Sequence, residues 1–65
     1  MTYLQTTHYT IDRAPRTGTL LLMNRETRRH MLFQGDDVTI LEAELEHCPA
    51  RLLDTVLGQY EEVLR

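Results

Sequence analysis

The chain has one cysteine and no tryptophan, serine or lysine, and its longest uninterrupted apolar run is Leu20-Leu21-Leu22-Met23. Each scarcity excludes something. A lone thiol, Cys48, forms no internal disulfide and builds no Cys-rich zinc site, so a reducing cytoplasm is the expected compartment. The Leu20 to Met23 run is far short of the ~20 apolar residues that cross a bilayer. The sequence also opens without a basic stretch followed by an apolar core of about 7–15 residues, so neither a membrane span nor a signal peptide is expected. With three Gly and two Pro, the chain is neither collagen-like nor a low-complexity tract, and it contains no internal repeat.

What is present fits one small soluble domain, residues 1–65, with 42% hydrophobic and 26% charged residues. A domain this short buries only about 60% of the surface of its unfolded chain. Its own core supplies roughly 3–5 kcal/mol, so association with a second copy is a natural expectation. Charge is divided unevenly. Residues 1–33 carry five Arg against Asp12 and Glu26, a net of +3, whereas residues 34–65 carry Arg51 and Arg65 against eight acids, a net of -6. All seven basic residues are Arg, which fits a GC-rich coding sequence as well as a preference for planar, bidentate contacts.

Residues 2–11, rich in Thr, Tyr and Ile, read as a single extended edge strand. Its period of two puts Tyr3, Thr7, Tyr9 and Ile11 on one side and Leu4, Thr6, His8 and Thr10 on the other. Residues 12–18, with Pro15 and Gly18 among charges, read as a connector. Residues 19–34 form the pattern of a β-hairpin: an apolar arm Thr19 to Asn24, a polar tip at Asn24 to Thr27, and a returning arm Arg28 to Gln34. The tip lacks Asn-Gly or Asp-Gly, so a loop of about 4–5 residues is favoured over a two-residue primed turn. Leu20 and Leu22 point one way along the first arm and Leu21 and Met23 the other. In the second arm Met31 and Phe33 share a face, opposite Arg28, His30, Leu32 and Gln34.

Residues 38–47 are open to either reading: Leu41 to Glu46 alternate as a strand would, yet Leu, Glu and Ala are strong helix formers, and Val38, Leu41, Leu45 and Cys48 recur at helical spacing. Helix is the favoured reading. Thr39 to Glu42 matches a capping box, and Asp36 and Asp37 carry the charge that suits a helix N-terminus. A second helix is predicted from Pro49 to about Leu64, with Leu53, Val56, Leu57, Tyr60, Val63 and Leu64 on one apolar face, and with Gly58 either permitting a close approach of another backbone or simply tolerated.

Chemistry-bearing residues are sparse. His47 and Cys48 are adjacent and, in a helix, point about 100° apart, so they do not pair as nucleophile and base; Cys48 reads as a small buried residue at the helix junction. His8, His30 and His47 lie in separate elements without metal-ligand spacing, and there is no HExxH or CxxC pattern or Gly-rich phosphate loop. The acids Glu42, Glu44 and Glu46, with Asp36 and Asp37, lack the loop that fixes calcium ligands and read as a solvated face, with docking onto a basic partner as the sharper alternative. No cofactor, no metal and no catalytic residue are expected.

These observations point to an α+β domain: an antiparallel sheet of about three strands, made of an N-terminal strand plus the hairpin, followed by two helices on one face. The expected core is Met31, Phe33, Leu41, Leu45, Leu53, Val56, Leu57, Tyr60 and Leu64. That order of elements is generic to many small bacterial, plasmid and phage proteins. The Leu20, Leu21, Leu22 and Met23 strand is apolar on both faces, so the expected function is a noncatalytic protein-interaction module. It would be homodimeric, or dock another protein, through this strip. The alternative is a small nucleic-acid-binding regulator using Arg25, Arg28, Arg29 and His30 at the hairpin tip on phosphates or guanine edges. Against that stand the acidic pI near 5.4 and the acidic helices.

Overall fold

The computed structural model describes residues 1–65. Strands β1 (Thr2–Gln5), β2 (Tyr9–Ala14), β3 (Thr19–Asn24) and β4 (His30–Phe33) form one antiparallel meander in the order β1-β2-β3-β4. Helix α1 (Asp36–Glu46) follows, then a C-terminal segment containing helix α2 (Leu53–Gly58) between the short 3₁₀ turns Ala50–Leu52 and Glu61–Val63. The architecture is α+β, with four strands where about three were expected.

The extra strand comes from residues 2–11, which are not one strand. Thr6, Thr7 and His8 turn the chain, with the Thr6 N–H donating to Tyr9 O at 2.8 Å and the Tyr9 N–H donating to Thr6 Oγ1 at 3.0 Å. Long-range contacts support the same turn: Arg25 Nη1 donates to Thr6 O at 2.8 Å, and the Asp54 carboxylate accepts from the Thr6 hydroxyl. Thr and His carry no local turn signal of the Gly, Asn or Pro kind. The predicted connector is also shorter: Asp12, Arg13 and Ala14 complete β2, and only residues 15–18 form the loop to β3. The returning arm of the next hairpin starts at His30 rather than Arg28.

The β2–β3 and β3–β4 loops are built alike. In each, the fourth loop residue donates its N–H back to the residue before the loop (Gly18 to Ala14 O at 2.8 Å, Arg28 to Asn24 O at 2.9 Å) and takes a left-handed conformation. Gly18 has φ 68 and Arg28 has φ 67, a conformation that suits glycine and strains arginine. Asn24 closes its loop further, its Oδ1 accepting from the N–H groups of Glu26 at 2.9 Å and Thr27 at 3.1 Å.

Helix α1 starts at Asp36, two residues before the predicted boundary, because Gly35 (φ 58) swings the chain from β4 into the helix. The Thr39 to Glu42 capping box is therefore not made: Thr39 lies within the first turn, no side chain caps the helix, and Asp36 and Asp37 sit in that turn. The single helix predicted from Pro49 to Leu64 is likewise broken, with Pro49 extended (φ -59, ψ 141) ahead of the first 3₁₀ turn and Leu64 extended (φ -69, ψ 142). An uninterrupted helix of that length would run about 24 Å. A six-residue strand covers only about 20 Å. Breaking the helix folds the segment back over the sheet. It carries Leu64 into the core and brings Arg65 beside β4, where Arg65 and His30 exchange N–H···O bonds of 2.9 and 3.1 Å.

The core lies between the helices and one face of the sheet. Tyr9, Ile11, Leu20, Leu22 and Phe33 from the strands meet Val38, Leu41, Leu57 and Leu64, with Leu4, Met31, Leu45 and Tyr60 packed around them. The Phe33 and Tyr60 rings meet edge to face at 5.3 Å. Leu53 and Val56, both expected in the core, are only half-buried, and Val63, predicted on the apolar face, is exposed.

Candidate functional site

Pairing register sorts the strand residues into two faces, because directly opposed residues point the same way. On the helix side stand Leu4, Ile11, Leu22 and Met31 in one row and Arg13, Leu20 and Phe33 in another. On the outer side stand Gln5, Thr10, Met23 and His30, then Thr2, Asp12, Leu21 and Leu32. No element of the chain covers the outer face.

This division corrects the proposed interface strip. Leu20 and Leu22 are completely buried in the core and offer nothing to a partner, so only Leu21 and Met23 of the four face outward. They are joined by a residue the strip did not include: Leu32, opposite Leu21, keeps 48% of its surface exposed. The signal for Leu32 was present in the alternation of the second arm, but only the register of β3 against β4 sets it beside Leu21. Around these three residues the face is almost uncharged, with Asp12 and His30 its only titratable side chains.

The hairpin arginines have structural work. Arg25 reaches back to the β1–β2 turn, and Arg29 Nη2 donates to Leu64 O at 2.6 Å, holding the C-terminal residues against β4. All four tip residues, Arg25, Arg28, Arg29 and His30, are exposed. The four residues are neighbours in sequence, but two of the guanidinium groups are spent on backbone carbonyls rather than offered together to a ligand.

A polar cluster at the same end ties the C-terminal segment to the sheet. Glu61 Oε1 accepts from the Tyr9 hydroxyl at 2.9 Å and from Asn24 Nδ2 at 2.6 Å, while Asp54 accepts from the Thr6 hydroxyl. Burial, then the neighbouring Glu61 carboxylate, pushes the Tyr9 phenol above its ordinary 10.0. Tyr60, donating to Glu44 Oε2 at 3.0 Å, is raised for the same reasons, burial first. At the opposite corner Arg13 pairs with Glu42 at 2.7 Å and lies over the Tyr3 ring at 4.7 Å; the Glu42 hydrogen bond is the main cause raising the Arg13 pKa. None of these groups is arranged as nucleophile, base and orienting group, and His8, His30 and His47 stand on separate parts of the surface. Cys48 lies half-buried just beyond α1, beside an exposed His47.

No protein-family model matches this chain, and no significant match is found among curated proteins or solved structures.

Proposed function

We propose that this chain is a noncatalytic protein-interaction module that associates with a second copy of itself through the outer face of its sheet. The observation that carries the reading is the strip Leu21, Met23 and Leu32, which spans a central and an edge strand on the face opposite the helices. Depletion of charge at the centre and polar residues at the margin are the marks of an interface. Here Thr10 and Asp12 border the strip on β2 and His30 lies beside Met23 on β4, while most of the other charged residues lie on the loops and helices. Two such faces stacked about 10 Å apart would bury the strips against each other, and a two-fold axis is the simplest closed arrangement.

The size of the face sets the expected strength. Four strands about 4.8 Å apart and some 18 Å long give a projected area of roughly 350 Å². A standard stable interface buries about 800 Å² of accessible surface per partner, so a face this small is expected to give a weak, reversible dimer. Sedimentation velocity from about 10 μM to about 1 mM should show mass rising above the 7.6 kDa monomer. Leu21→Glu with Leu32→Glu should hold the protein at monomer mass without unfolding it. A wild-type chain that stays strictly monomeric over this range removes the proposal.

A further inference from the structure

A second surface, independent of the outer face, lies along β1. The bond from Thr6 N–H to Tyr9 O makes that pair hydrogen-bonded, so by alternation Leu4 bonds Ile11 and the intervening pair, Gln5 with Thr10, does not. Gln5 therefore turns both its N–H and its C=O away from β2, and no backbone group of the chain meets them. The opposite edge is partly dressed by Arg65 on His30; β1 has no such cover.

Below this edge, on the helix side, a groove of ≈ 490 Å³ is floored by Tyr3, Leu4, Leu45, Cys48, Ala50 and Leu53. Its rim carries Glu42 and Glu46. Arg13 neutralises Glu42 at 2.7 Å, whereas Glu46 has no ionic partner and the last turn of α1 holds no basic residue. Unpaired strand backbone, an apolar trough beside it and a free carboxylate on its rim are thus brought together by β1, α1 and the start of the C-terminal segment.

We propose that this edge and groove bind an extended peptide segment of another protein, added to the sheet as a further strand beside β1. On the groove side the segment carries apolar residues followed two positions later by Arg or Lys. Main-chain bonds to Gln5 supply pairing, and alternate side chains enter the groove or reach Glu46, because successive residues of a strand point to opposite faces. Charge decides against self-pairing of β1, and on the other edge Arg65 already occupies His30. A two-fold pairing of β1 with β1 would bring two Glu46-bearing rims to one seam, and β1, Thr2–Gln5, contains no cation to meet them.

The test uses the full chain and a fluorescein-labelled probe, Thr-Arg-Thr-Leu-Thr-Leu-Thr-Arg-Thr, whose pattern is the same in either strand direction. Saturable binding below about 1 mM is expected, with amide shift changes confined to β1 and the groove residues. The same peptide with Glu in place of Arg should bind about tenfold more weakly, and Glu46→Arg should reverse that preference. Gln5→Pro removes an N–H that the fold does not use, a substitution an edge strand tolerates, and should abolish binding while leaving the melting temperature within a few degrees. No saturable binding, equal binding of the acidic peptide, retention of binding by Gln5→Pro, or shift changes centred on Leu21 and Leu32 would each overturn the proposal.

Discussion

Leu57 shows what a single residue contributes to a domain of this size. It is completely buried among Ile11, Leu20, Leu22 and Leu41, so Leu57→Ala removes apolar contact and leaves a cavity, at about 2–5 kcal/mol. A core this small supplies roughly 3–5 kcal/mol in all, so urea titration at 25 °C should find the variant largely unfolded. Leu53→Ala should cost less, because half-buried Leu53 floors an open groove. The two tyrosines make a second prediction. With both phenols raised above 10.0, the stability they contribute is present below that pH and lost as pH climbs through their raised values, where phenolates would face Glu61 and Glu44. Melting temperature measured from about pH 8 to about pH 11 should fall at the alkaline end, and Tyr9→Phe with Tyr60→Phe should flatten that fall. Tyr9 was legible as a strand residue, but its place in the core and its Glu61 partner were not. Nothing local couples positions this far apart in sequence.

Among the elements, glycines separate conformational need from tolerance. Of the two readings the sequence leaves for Gly58, close approach of another backbone or simple tolerance, the second fits: a Cβ there would meet only the Tyr9 hydroxyl, at the ordinary contact distance of 3.9 Å, and its φ is not positive. Gly58→Ala should therefore stabilise α2 by about 0.5–1 kcal/mol, seen as a higher urea midpoint with an unchanged slope. Gly35→Ala should do the opposite, by about 1–2 kcal/mol, because the turn into α1 needs its positive φ. Arg28 sits in the loop position that Gly18 occupies in the preceding hairpin, so Arg28→Gly should raise stability by about 1 kcal/mol. The β3 arm and the tip at Asn24 were legible because hydrophobic period and turn residues agree there, and helix α1 because helix propensity outweighs the strand-like alternation of Leu41 to Glu46. The β1–β2 turn and the breaks after Pro49 were not, since Arg25, Asp54 and Glu61 impose them from distant parts of the chain.

For the whole molecule, the outer sheet face has a thermodynamic consequence. If association stabilises the native state by mass action, melting temperature should rise with protein concentration for the wild type and be flat for the Leu21→Glu, Leu32→Glu variant. Flat behaviour for both would remove the link between dimerisation and stability. The sequence by itself determined the α+β class, the hairpin and the uneven charge, because those depend on residue type and local period. Only the tertiary structure decided which leucines of the Leu20 to Met23 run are core, that Leu32 joins Leu21 outside, and that Arg25 and Arg29 bind backbone. It also set the free edge of β1 beside an acidic groove. Each of these depends on strand register and chain closure, which are fixed by contacts between residues far apart in sequence.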